Sequence, residues 1–207
     1  MQPDAIAFDA FGTLFDLEAL RDPLGDEVFE GFARRLVPWT WHATAANTFS
    51  PLPDIATLAA RAAGASEDVA ADLPARLQAL PAFPDVPAGL DALRDWRLAV
   101  LSNGTAEGVR ALVESAGLSD RFEHLLSADQ AGCYKPSREV YAMVTRAFRT
   151  RADRVLLVSS NEWDITGGAC AGLQTAWLGR GREPSWVMGV AADIVVDSLS
   201  DLAATLA

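Results

Sequence analysis

Four groups of polar residues stand where short apolar runs end, and together they suit displacement of a leaving group by a carboxylate. The first is Asp9 with Thr13 in "AFDAFGTLFD", residues 7 to 16; the second is Ser102 and Asn103 in "LSNGT". Lys135 in "YKPSREVY" is the third, and Ser159, Ser160, Asn161 and Asp164 in "VSSNEWD" are the fourth. Taken singly these are turn residues, helix caps and a surface lysine. Taken together they supply a nucleophilic acid, a cation to keep it ionised, short hydroxyl and amide donors, and a second acid. A carboxylate can displace a leaving group to form an ester, which water then cleaves. In that scheme Asp9 is the nucleophile, Lys135 its charge partner, and Asp164 the base that activates water. Thr13 and Ser102 offer hydroxyl donors. Backbone N–H groups around Gly12 and Gly104 can approach an anion closely, because glycine adds no side chain.

Such groups converge only if the chain brings the ends of several strands to one edge. Runs typical of strands buried on both faces recur at residues 5–10, 97–104, 124–128, 154–160, 175–179 and 193–198. Between them lie helical spacings, with Val109, Leu112 and Val113 on one face of one segment and Val140, Met143 and Val144 on one face of another. This alternation predicts an α/β fold with a doubly wound parallel sheet, in which ligands bind outside the carboxyl ends of the strands. One interval breaks the rhythm. From 17 to 90 the text is Ala- and Leu-rich and helical, punctuated by Pro51, Pro53, Pro81, Pro84 and Pro87 near its turns and its return. The expected organisation is a core domain of residues 1–16 and 91–207 with a small helical cap domain, 17–90, inserted after the first strand.

The four motifs, in this order, resemble those of the haloacid dehalogenase superfamily, and "FDAFGTLFD" with "SSNEWD" is most similar to its type II L-2-haloacid dehalogenases. The resemblance implies a Rossmann-like core, Asp9 as nucleophile, Lys135 as its charge partner, and Asp164 placing the hydrolytic water with Ser159 and Asn161. It implies that Thr13 contacts the nucleophile, Ser102 the substrate carboxylate and Asn103 the departing halide. Tyr141 matches a site tyrosine, and Phe11 and Trp163 would wall the apolar part of the substrate. Superfamily phosphatases carry a second Asp two residues after the nucleophile, which protonates the leaving group and helps hold Mg²⁺; here that place is Phe11. A halide leaves without a proton, so Phe11 points to displacement at carbon with no metal or other cofactor. The type II enzymes also set an Arg on a cap helix close to an aromatic pair. The corresponding stretch, residues 38 to 47, has His42 and Ala43 instead. Halide stabilisation then falls to Asn103 with the indole N–H of Trp39 or Trp41, to His42, or to Arg34 or Arg35 from a shifted helix.

Composition narrows the partners. The 207 residues are half hydrophobic, enough for one good core, and carry a net charge of −11. That charge argues against nucleic acid and anionic membrane, and requires any site for a small anionic halo-acid to be locally positive. Two cysteines and two histidines make neither a disulfide framework nor a Cys/His zinc cluster. No apolar run approaches the ~20 residues of a membrane span, and "MQPDAIAF" lacks a signal-peptide pattern, so the expected location is cytoplasmic. The resemblance adds a possible homodimer. The expected function is metal-independent hydrolysis of short-chain 2-haloalkanoic acids to 2-hydroxy acids through an aspartyl ester. The alternatives are a Mg-dependent phosphatase of a small phosphometabolite and a weakly active or vestigial member.

Overall fold

The structure, a computed structural model, describes residues 2–207. The apolar runs form β1 (Ala5–Phe8), β2 (Arg97–Ser102), β3 (His124–Ser127), β4 (Val155–Ser159), β5 (Gln174–Leu178) and β6 (Ile194–Val196). The helical stretches form α1 (Arg21–Leu24), α2 (Asp26–Ala45), α3 (Leu52–Ala62), α4 (Glu67–Leu77), α5 (Val86–Ala92), α6 (Ala106–Ser115), α7 (Arg138–Phe148), α8 (Glu162–Cys170) and α9 (Leu199–Leu206). All six strands pair in parallel, in the order β3-β2-β1-β4-β5-β6. The strand order reverses at β1 and β4, which makes their carboxyl ends the switch point where such sheets bind ligands. Ala5 pairs with Val155 and Phe8 with Val158, so Asp9 and Ser159 leave the sheet side by side.

The central strands are apolar on both faces because helices cover both. Val109, Leu112 and Val113 of α6 and Val140 and Val144 of α7 are buried, with Met143 partly buried beside them. Side-chain caps start two of the helices: the Thr105 hydroxyl accepts from the Gly108 N–H at 3.0 Å and that of Ser198 from the Asp201 N–H at 3.1 Å.

Between β1 and β2 the chain is helical throughout. α2 packs on α3 and α3 on α4, forming a layer of its own, whereas α5 packs on α9. The close fit of that last pair needs Gly89, where a Cβ would lie 2.2 Å from Leu199 Cβ. Pro51, Pro53 and Pro87 stand at helix starts, while Pro38 and Pro74 lie inside α2 and α4. The outgoing and returning linkers pair with each other. The Phe83 N–H donates to the Leu14 carbonyl at 3.0 Å and the Asp16 N–H to the Pro81 carbonyl at 2.9 Å, across an antiparallel bridge of Phe15 and Ala82.

Candidate active site

A line of four buried side chains runs through the switch point. Lys135 Nζ donates to Asp9 Oδ1 at 3.0 Å and to Asp164 Oδ2 at 2.9 Å, and the Tyr141 hydroxyl donates to Asp164 Oδ1 at 2.7 Å. The side chains of Lys135 and Asp164 are fully buried and that of Asp9 is 6% exposed. One ammonium between two carboxylates leaves the cluster one negative charge in excess. Lys135 comes from the loop after β3, where its own N–H donates to Asn103 Oδ1 at 2.9 Å. Asn103 therefore joins the second polar group to the third and sets where the lysine stem enters.

The other oxygen of Asp9 is held from the loops after β1 and β4. Thr13 Oγ1 and Asn161 Nδ2 both donate to Asp9 Oδ2, each at 2.9 Å. The Thr13 hydroxyl is fixed as a donor because its oxygen accepts from the Ser160 N–H at 2.9 Å. Asn161 stands at the N-cap of α8, yet its side chain does not cap the helix; it reaches Asp9 and, at 3.2 Å, the Phe11 carbonyl. Among the described residues Oδ1 accepts from Lys135 only, so Oδ1 keeps a lone pair for attack while Oδ2 sits in a two-donor cradle. Such a cradle stabilises charge that develops on a carbonyl oxygen.

The remaining expected residues divide between supporting the site and standing away from it. Ser159 accepts from the Asn161 N–H at 3.1 Å and Ser102 from the Gly104 N–H at 3.0 Å, each stiffening the turn that follows its strand. The backbone donors expected to face an anion are thus committed: Gly104 N–H to Ser102, and Gly12 N–H to the Phe15 carbonyl at 2.7 Å. Phe11 lies against the Gly104 turn, where a Cβ would be 3.3 Å from its ring. Trp163 meets Trp41 of α2 edge to face, with ring centroids 5.9 Å apart, so one aromatic of each layer touches the other. Trp39 and His42 line a different groove with Ala46, Thr48, Ser50 and Ile55. A helix turns about 100° per residue, so Trp39 and Trp41 point to opposite sides of α2.

Burial, the dominant influence, pushes the Asp9 carboxyl above its ordinary value of 3.8; Lys135 opposes the rise and Asp164 adds to it. Burial works to lower Lys135, but its two carboxylate partners outweigh it and hold the ammonium above 10.5. Burial, and then the Asp164 charge, keep the Tyr141 phenol protonated well above 10. For a reaction in which Asp9 attacks as the anion, kcat/KM is expected to fall with decreasing pH through a limb lying above 3.8, and to lose nothing to Lys135 below pH 10.5. A pH profile checks this; a limb at or below the ordinary aspartate range would contradict it.

The sequence expectation passed over Arg180. It follows β5, and its guanidinium donates to the Thr13 carbonyl at 2.8 Å and to Asp85 Oδ1 at 3.0 Å. Its one signal in the text is its place at the end of a fifth strand, on the same edge as the other four groups.

The haloacid dehalogenase-like hydrolase family model matches residues 3–172. The chain belongs to this family. It is 34% identical to the (S)-2-haloacid dehalogenase of Pseudomonas sp. strain YL, over 94% of this chain and 90% of that one. With haloacetate dehalogenase H-2 of Moraxella sp. strain B it shares 31% identity over 86% of each. Its fold matches the crystal structure of the L-2-haloacid dehalogenase RSc1362 with a TM-score of 0.93, at 30% identity and 100% and 99% coverage.

In this haloacid dehalogenase-like hydrolase a cleft of about 560 Å³ opens at Gly12 and Asn161, lined further by Arg180 and Arg182 and by Phe29, Glu30 and Ala33 of α2. Arg34 and Arg35 do not enter it. Arg35 turns along its own helix, donating from Nη1 to the Gly31 carbonyl at 2.7 Å, and the α2 residues that line the cleft are Phe29, Glu30 and Ala33. The loop after β5 brings Arg180 and Arg182 to the cleft, which Asp16, Glu18 and Glu30 also line. Gly167 is where α8 makes room for the tyrosine, since a Cβ there would lie 2.2 Å from the Tyr141 hydroxyl. Gly167→Ala is expected to push the phenol off Asp164 and slow turnover roughly 100-fold, the scale of a 1 Å misplacement. Initial rates in wild-type and Tyr141→Phe backgrounds check it, with a much smaller further loss expected in the second.

Proposed function

We propose that the protein hydrolyses short-chain 2-haloalkanoic acids to 2-hydroxy acids, with Asp9 as the nucleophile. The observation that carries this reading is the buried Asp9–Lys135–Asp164 line beside Phe11: a carboxyl group paired with an ammonium and oriented by it, with no acid two residues on to protonate a leaving group. The names of the relatives, (S)-2-haloacid dehalogenase and haloacetate dehalogenase, support the same chemistry.

Asp9 Oδ1 attacks the carbon bearing the halogen. A C–O bond forms, the C–X bond breaks, and the electron pair leaves on the halide. Attack from behind the departing halide inverts that carbon, so an (S)-2-haloacid yields an (R)-2-hydroxy acid. The excess negative charge leaves with the halide, and the neutral ester remains beside a matched Lys135–Asp164 pair. Water then adds to Asp9 Cγ, giving a proton to Asp164, while negative charge gathers on Oδ2 between Thr13 and Asn161. Collapse releases the alkoxide, which takes the proton back from Asp164, and the Asp9 carboxyl gives the second proton of the water to solvent, regenerating the carboxylate. Lys135 occupies the space between the two carboxylates, and among the described residues no three His, Cys, Asp or Glu side chains are placed to hold a metal ion together. The helical segment 17–90 serves as the cap that closes the cleft through α2, with its last helix, α5, resting on α9. Among the described residues no helix is long and apolar enough to cross a membrane; a cytoplasmic location, expected from the sequence pattern, and a homodimer, on the family resemblance, are part of the proposal.

The test is halide release from chloroacetate, fluoroacetate and both enantiomers of 2-chloropropionate, in EDTA, with Asp9→Asn as blank. Release that needs Asp9 and is indifferent to EDTA is expected. Mg²⁺-dependent phosphate release from phosphorylated metabolites, lost in Asp9→Asn, would overturn it.

A further inference from the structure

Arg180 ties together three stretches of chain that are remote in sequence. Nη2 donates to the Thr13 carbonyl at 2.8 Å, Nε to Asp85 Oδ1 at 3.0 Å and Nη1 to the Ser160 hydroxyl at 3.5 Å, while the guanidinium lies 4.0 Å over the Phe83 ring. The ion pair is largely buried, with side chains 19% and 22% exposed. Asp85 is itself anchored, its second oxygen accepting from the Leu199 N–H at 3.2 Å. The Ser160 hydroxyl is anchored too, donating to the Leu178 carbonyl at 2.7 Å. Thr13 lies where the chain leaves β1 for the helical layer, and Phe83 and Asp85 where it returns. Both linkers are thus fastened to the end of β5 through one side chain.

We infer that Arg180 is a positioning residue that pins both linkers to the sheet and so holds the Thr13 hydroxyl on the nucleophile. The role rests on the ester reaction proposed above. Thr13 has one hydroxyl proton, and it points at Asp9 Oδ2 because the Ser160 N–H occupies the oxygen from the other side. Arg180 touches both members of that pair, on the Thr13 carbonyl and the Ser160 hydroxyl. A planar guanidinium reaches three acceptors at fixed angles while stacking on a ring; an ammonium does not.

The two chemical steps depend on this clamp unequally. Ester formation uses Asp9 Oδ1, which Lys135 holds and Arg180 does not touch. Ester hydrolysis gathers charge on Oδ2, the oxygen that Thr13 holds. Loosening the clamp therefore slows hydrolysis more than formation, and the ester accumulates.

Arg180→Met and Asp85→Asn are measured by rapid-quench halide release and intact-protein mass during turnover of (S)-2-chloropropionate. For Arg180→Met a roughly 10- to 100-fold fall in kcat is expected, with kcat/KM little changed and KM therefore lower, one equivalent of halide released in a burst, and a protein adduct of the mass of the substrate's 1-carboxyethyl group. Asp85→Asn, which keeps the side-chain volume and an acceptor for Leu199, is expected to show the same burst with a smaller fall. Thr13→Val is expected to match Arg180→Met, and the double variant to lose little more than Thr13→Val alone. Equal slowing of both steps, a rise in KM only, or multiplicative losses in the double variant would overturn the role. If Arg180→Met does not fold, a wild-type partition between the steps in Asp85→Asn would do the same. Absence of halide from the wild type would instead remove the ester reading, and this role with it.

Discussion

Asp9→Asn is expected to lose halide release by on the order of 10⁴-fold or more, the scale seen when a nucleophile is removed, while the protein stays folded. Asn keeps the shape and an acceptor oxygen, but it cannot displace a halide. The fold should tolerate the change, because Lys135 retains Asp164 at 2.9 Å and the cluster passes from one excess negative charge to none. Stability is expected to hold or rise slightly, as when a charge kept for chemistry is removed from a buried site. Single-turnover reaction of the wild type in heavy-oxygen water checks the same point without a mutation. The new hydroxyl oxygen of the product comes from Asp9, and the label enters Asp9 itself. Label in the product alone during the first turnover would rule out the ester.

Lys135→Met combines a functional loss of similar size with a structural one. Removing the ammonium leaves Asp9 and Asp164 facing each other in a space from which water is excluded, with the lysine stem fully buried between them. Breaking a buried pair from one side costs about 3–5 kcal/mol, which for a chain of this size is a fall in Tm of roughly 10 °C. The pH dependence has a definite sign. Burial already raises the Asp9 carboxyl and Lys135 opposes that rise, so without Lys135 its folded-state value lies further above the unfolded one; its protonation favours the folded state and the deficit grows as pH rises through that raised value. The Tm gap from wild type is therefore expected to narrow between pH 7 and pH 5. A second change, Asp164→Asn in the Lys135→Met background, is expected to restore part of the stability and none of the activity. Differential scanning calorimetry at both pH values decides it, and a gap that widens toward pH 5 would mean that the carboxylates are not coupled through Lys135.

Much of this was legible before any coordinates. The six strands follow from apolar runs of strand length, and the parallel order from their alternation with helices. Strand ends are legible as site positions because an open parallel sheet turns every carboxyl end to the same edge, so Asp9, Ser102, Lys135 and Asp164 could be grouped without any distance. Phe11 was informative for the same reason: a side chain two residues after a strand-end nucleophile has to stand near it.

What the chain text left open concerns directions of side chains and partners remote in sequence. Reading Trp39, Trp41 and His42 as one cluster ignored helix phase; the structure sends Trp41 to Trp163 and the other two to a separate groove. Arg34 and Arg35 were within reach of the cleft by residue number, but α2 packs on α3 with Ala33 toward the cleft. Asn161, Ser159 and Ser102 turned out to spend hydrogen bonds on the nucleophile and on their own turns, a division that depends on angles and distances of a few tenths of an ångström. Arg180 is the clearest case: its partners Thr13, Phe83, Asp85 and Ser160 span most of the chain. The sequence by itself determined which residues sit at the reactive edge, because local pattern and the handedness of parallel connections leave few choices. Only the tertiary structure decided which oxygen of Asp9 each donor holds and which cation steadies the nucleophile loop, because those depend on how separately formed elements rotate and dock.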